Sequence, residues 1–325
     1  MKRFSVCLLI LALLVLSGCG SRGAEGSGGS EEAVGRSSSG SFSTEATAAV
    51  PGVPDDVSTL FGSYGWTVTG VLGGADAVLP DSLKTNVEDS PLQFYWMRAA
   101  VLSGDIGYDL TGLLGSPVRI EIYALDGALP EKYPFPAFQA IRGILFRRED
   151  GMIAGALVDS GRHAGNAVSL KRDDVEDITG MSLPDYWGNN YYDPGDPVNA
   201  AAEQRTAEDV VRRYLQSVAS GDTAAQLSTL SVQGKLQSLF SNLDDSLPYN
   251  PTPELYTYLS SVEVLSLRTY DADSGEGMTG YAAEIDGKTS ESGKAVLGDG
   301  GKMTRFILVG KENGSLRVFG DGTGP

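Results

Sequence analysis

Twice along the chain, apolar residues at helical spacing give way to runs that alternate every second residue. That repeated change of period limits the fold to helices packed on antiparallel sheet. In the first instance Val57, Leu60, Phe61 and Tyr64 fall at i, i+3, i+4 and i+7, Gly65 closes the helix, and Trp66-Thr67-Val68-Thr69 alternates as a strand. A second helix is predicted from the cap at Ser90-Pro91 through Leu92, Tyr95, Trp96, Ala99 and Leu102 to Gly104, with Met97 and its aromatic neighbours as core. A strand over 118–125 follows, Val118, Ile120, Ile122 and Ala124 on one face and Arg119, Glu121 and Tyr123 on the other. Strands over 143–148 and 152–158 are joined by Glu149-Asp150-Gly151, a hairpin signal.

In the second instance Thr206 caps a helix with Asp209 three residues on, and Val210, Val211, Tyr214, Leu215 and Val218 form its apolar stripe. Gly221-Asp222 stops that helix and caps another, with Leu227 and Leu230 inward; a third short helix carries Leu236, Leu239 and Phe240. Four strands are predicted over 262–270, 281–286, 303–309 and 316–319, the last two joined through Asn313-Gly314. The expected fold class is therefore α+β in two domains, 53–187 and 201–325. Residues 188–200 are expected to form a linker, because Pro and Gly there exclude regular structure. Tyr186 and Trp187 just before it and Tyr191 and Tyr192 within it are expected to cover the seam between domains rather than stack on a sugar.

The start of the chain fixes the expected location. Lys2 and Arg3 precede an apolar run of about 13 residues, short of the roughly 20 that a membrane span requires. Leu16-Ser17-Gly18-Cys19 closes the run and resembles the bacterial lipobox. The resemblance implies a signal peptide over 1–18 and lipidation of Cys19, with the protein anchored to the cell membrane and facing outside the cytoplasm. Residues 19–52 are rich in Gly and Ser, with Phe42 a lone aromatic, and read as a flexible tether with a reach on the order of 30 Å. With Cys7 in the signal and Cys19 acylated, no cysteine is left for a disulfide. The net charge of −17 repels phosphate backbones, so no nucleic-acid partner is expected.

Two family resemblances emerge from these residues. The Gly65-Trp66 helix end, IGYDLTGLLGSPV and the strand pair around RREDGMIAGALVD resemble the bacterial domain of unknown function 4830 over residues 57–180. The helix phrase AEDVVRRYLQSVASGD and the ending RFILVGKENGSLRVFGDGTGP look like the domain of unknown function 4829, over 201–325. The order of helices and strands there is that of the nuclear transport factor 2-like fold. That resemblance implies a cone of helices on a curved sheet, which enzymes and binders both use.

Chemistry is thinly represented. The single histidine, His163, lies in a Gly-rich turn, which leaves little material for a histidine metal cluster or a Ser-His-Asp triad. Asp173, Asp174, Glu176 and Asp177 invite calcium but read better as a helix-capping face. Residues 271–277 imitate the start of a calcium loop, yet Glu276 stands where the sharp-turn glycine belongs, and a solvated hairpin loop is the expectation. For acid–base chemistry in the cone the strand candidates are Glu284 and Asp286, with Tyr214, Tyr270 and Tyr281 as donors; alternation sends both acids to solvent. No catalytic residue, metal or cofactor is therefore expected. Tyr214, Tyr270, Tyr281 and Phe306 are the candidate pocket lining. The function expected is a non-catalytic binding or interaction module, its partner an envelope component, peptide or protein. An enzyme working in the cone and a ligand-free structural spacer are the alternatives.

Overall fold

A computed structural model describes residues 52–89, 92–133, 141–160, 167–238, 258–270 and 277–324. The predicted signal, Cys19, the tether up to residue 51, His163, Leu239, Phe240 and the calcium-like stretch 271–276 lie outside the described residues.

Helix α1, Asp55–Ser63, starts behind Pro54 with Asp55 and Asp56 in its first turn, where acids favour the positive helix end. It buries Val57 and Phe61, and Gly65 turns the chain at φ +75°. Strand β1 is Thr67–Val78, three times the length that the sequence suggests. Gly70, Gly73 and Gly74 weaken the strand signal, yet β1 is an edge strand that has to match only β2. Helix α2, Leu92–Asp105, and a 3₁₀ turn, Thr111–Leu113, lead to β2, Pro117–Asp126. Strands β3, Arg142–Arg148, β4, Ile153–Asp159, and β5, Ala167–Val168, complete an antiparallel sheet in the order β1-β2-β3-β4-β5.

Both faces of the central strands of this sheet are covered. On one, Ile120, Ile122 and Phe146 meet Trp96 and Leu102 of α2; on the other, Tyr123, Leu125 and Leu145 meet Val57 and Phe61 of α1. The Arg119-Glu121-Tyr123 side is thus an interface and no plain solvent face. Tyr123 donates to Glu121 at 2.8 Å, and Arg147 holds Glu121 at 3.2 Å and Asp56 at 2.8 Å.

Helix α3, Val175–Thr179, is held by a reciprocal cap between Asp174 and Asp177, and Lys132 binds both carboxylates. The acidic cluster is a helix cap, as its spacing suggests. The stretch expected to be an irregular linker is irregular over 191–196 and helical at both ends. Helix α4, Leu183–Asn190, starts at Ser182 with proline in its first turn, and α5, Pro197–Glu203, starts at Asp196 with Pro197 leading. A proline in the first helical turn loses no hydrogen bond and has the helical φ already set, so Pro197 begins α5 and Pro184 fits the first turn of α4.

The second half opens with α6, Ala207–Ser220, capped reciprocally by Thr206 and Asp209 and closed by Gly221 at φ +70°. Helices α7, Thr223–Leu227, and α8, Val232–Ser238, follow. Then come β6, Leu259–Tyr270, β7, Met278–Thr289, a short α9, Lys294–Leu297, β8, Gly300–Glu312, and β9, Ser315–Gly322. They form an antiparallel meander in the order β6-β7-β8-β9. Asn313, at φ +48°, and Gly314, at φ +81°, make the left-handed turn that this two-residue connection needs.

Residues Val50–Pro325 form one compact unit. Trp187 packs edge-on against Phe94 at 4.9 Å and Tyr192 at 5.1 Å, in a core that runs on to Ala202, Val232 and Leu236 of the second half. The aromatics around residue 190 therefore do fill a seam. No helix among the described residues is long and apolar enough to cross a membrane.

Candidate functional site

Helix α6 lays Val210, Val211, Tyr214, Leu215 and Val218 on Ala283, Ile285, Ile307, Val309 and Val318 of the second sheet, all of them buried. Two charged groups enter this apolar layer. Arg305 sits two residues from Ile307, so strand alternation sends it to the same buried side. Its Nε and Nη2 donate to Asp321 Oδ1 at 2.9 and 2.6 Å, and each side chain is 6 % exposed. Tyr214 donates its hydroxyl to Asp321 Oδ2 at 3.1 Å, and Tyr258 donates to the same oxygen. The guanidinium lies 4.9 Å from the Tyr258 ring centroid, a cation–π contact.

Burial raises the Asp321 carboxyl above its usual range, even though Arg305 and the hydroxyls favour the charged form. Burial first, and then the Asp321 charge, lift the Tyr258 phenol well above its own. The Tyr258 hydroxyl is thereby held as a donor. Each carboxylate oxygen receives two hydrogen bonds, which uses the roughly four acceptor positions that a carboxylate has. The arrangement is a closed ion pair, fit to fix geometry and poorly fitted to take a proton from a substrate.

The four residues expected to line one pocket come together only in pairs. Tyr281 pairs with Thr269 and Ile307 and lies with Tyr214 in the core against α6. Tyr270 pairs with Gly280, and Phe306 with Ala282, one step out of phase. They therefore occupy the opposite face, where their rings meet at 5.3 Å and near-perpendicular. Tyr270 lies across Gly280, where an added Cβ would come within 2.6 Å of the ring. With a period of two, a single cavity cannot be lined by both sets. Glu284 and Asp286 are on this outer face too. Glu284 is half exposed, 3.5 Å from Arg268, and accepts from Ser266 at 3.0 Å; Asp286 is exposed.

A second buried polar cluster, which the sequence reading did not single out, sits where the halves meet. Lys235 of α8 is 1 % exposed, donates to the Val87 carbonyl at 2.6 Å and lies 5.0 Å from the Phe94 ring centroid. Burial pulls its ammonium down to about 7. Glu312 accepts from the Val232 amide at 3.0 Å, and burial pushes its carboxyl up to about 7. Among the described residues no group of three His, Cys, Asp or Glu side chains is placed to hold a metal ion.

Residues 60–158 match the family described as Domain of unknown function (DUF4830). The match runs from within α1 through β4, inside the 57–180 span on which the resemblance rests. No curated protein and no solved structure matches the chain.

Proposed function

We propose that the chain is a lipoprotein, acylated at Cys19 and displayed outside the cytoplasm, whose folded part is a non-catalytic binding or interaction module. Its second half, in this reading, is a nuclear transport factor 2-like cone of the domain of unknown function 4829 type. Its partner is an envelope component, a peptide or a protein. The observation that carries the non-catalytic reading is the saturation of Asp321. Among the described residues beneath α6, the buried carboxylate of Asp321 has its acceptor positions filled by Arg305, Tyr214 and Tyr258, which leaves it poorly placed to act as a base. The strand acids Glu284 and Asp286 lie on the far face, apart from Tyr214 and Tyr281. The order of α6, α7, α8 and a four-stranded meander supports the cone.

Native mass spectrometry of the mature chain, extracted in detergent from its own host, tests the binding role. The expected spectrum contains a species heavier than the acylated chain by one bound molecule or one partner protein. A spectrum of acylated chain alone would count against a binding module and in favour of a spacer.

A further inference from the structure

Three arginines from separate parts of the second half converge on Ser228, the residue that follows α7. Arg205 Nη1 donates to the Ser228 carbonyl at 3.2 Å and to its hydroxyl at 3.0 Å. Arg213 Nε, on α6, donates to the same hydroxyl at 3.0 Å. Arg317 Nη1, on β9, donates to the Ser228 carbonyl at 3.1 Å. In a chain of net charge −17, three guanidiniums donating to one residue are a local concentration of cations.

Carboxylates lie within electrostatic range but are mostly turned elsewhere. Glu88 accepts from Arg213 Nη2 at 3.2 Å. Glu203 accepts from the Tyr192 hydroxyl, Glu312 from the Val232 amide, and Asp209 from Thr206. Burial and, after it, the neighbouring Arg213 lower the Arg205 guanidinium; burial lowers that of Arg317 to about 10, with Arg205 among the causes. The cations are crowded enough to repel one another. Arg317 is 1 % exposed, and its Nη2 has no hydrogen-bond partner among the described residues. Arg205 is half-buried and the Arg213 side chain is 39 % exposed, so the cluster has a buried floor and a side open to water.

Guanidinium forks match the planar, doubly accepting edge of a carboxylate or phosphate, and an unpaired buried donor is costly unless something completes it. We infer that Arg205, Arg213 and Arg317 form a binding site for an oxyanion, a carboxylate or phosphate group, seated over Ser228. This deepens the binding reading by naming the ligand's chemistry. It is nevertheless read on purified protein, whether or not the chain is acylated in its host.

The test is calorimetric titration of the full-length chain in detergent with inorganic phosphate and, separately, with succinate, both at constant ionic strength. At least one oxyanion is expected to bind saturably at one equivalent, and which of them does so identifies the group. Arg205→Gln and Arg213→Gln, both at partly exposed positions, are expected to weaken that binding at least about tenfold, the loss of one charge-assisted hydrogen bond. Arg268→Gln, paired with Glu284 on the outer face, is expected to leave it unchanged. Absence of saturable binding by both anions would overturn the site, and so would wild-type affinity in both variants. Matching thermal melts check that the variants fold, and Arg317→Lys, which keeps the buried charge but loses the fork, is expected to weaken binding as well.

Discussion

At the scale of single residues, two buried ionic groups are held by opposite logic. Asp321 and Arg305 are complete as a pair, so removing one partner leaves the other charged and buried. Asp321→Ala is expected to cost about 3–5 kcal/mol in urea unfolding. Glu284→Gln and Asp286→Asn, on the outer face, are expected to shift stability by less than about 0.5 kcal/mol. Glu312 and Lys235 instead titrate near neutrality, with contrary signs. The folded-state pKa of Glu312 is raised from 4.5 to about 7, so its contribution is fully present below pH 4.5 and is lost as pH rises through 7. The Lys235 value is lowered from 10.5 to about 7, so its contribution is fully present above pH 10.5 and is lost as pH falls through 7. Unfolding free energy measured across pH should accordingly lose its fall between about 4.5 and 7 in Glu312→Gln. It should lose its rise between about 7 and 10.5 in Lys235→Met, and an unchanged profile in both would refute the assignment.

At the scale of elements, what could be read from the sequence was whatever is encoded locally. The Thr206–Asp209 and Asp174–Asp177 caps, the α6 stripe and the Asn313-Gly314 turn depend on residues a few positions apart. Pro197 misled because a breaker and a first-turn residue are the same residue type; the capping Asp196 just before it is what decides. Arg305 was legible in principle, being in phase with Met303, Ile307 and Val309, although nothing local pointed to Asp321 or Tyr258 as its partners. The cluster on Ser228 was not legible, because residues 205, 213 and 317 meet only through tertiary packing. One element-scale test concerns the joint between α4 and the β8–β9 turn. Asn313 donates to the Pro184 carbonyl at 2.7 Å, and a Cβ on Gly188 would overlap its side-chain amide. Alanine in a helix ordinarily gains about 0.5–1 kcal/mol over glycine, but overpacking costs about 1–3 kcal/mol. Gly188→Ala is therefore expected to lower the melting temperature, and a rise would show that the joint is loose.

At the scale of the whole molecule, Val50–Pro325 holds two sheets and the helices between them in one compact unit. The first half, residues 60–158 of which match a family without an assigned activity, packs apolar side chains on both faces of the central strands of its sheet. The second sheet spends its inner polar groups on one another beneath α6 and leaves Tyr270 and Phe306 outside. The proposed binding chemistry concentrates at the arginines beside the seam, on a body proposed to be tethered to a membrane. The tether is most directly tested by the intact mass of the chain extracted from its host's membranes. The account predicts a polypeptide that begins at Cys19 and carries the added mass of acyl chains. A mass that retained residues 1–18, or an unmodified Cys19, would contradict it.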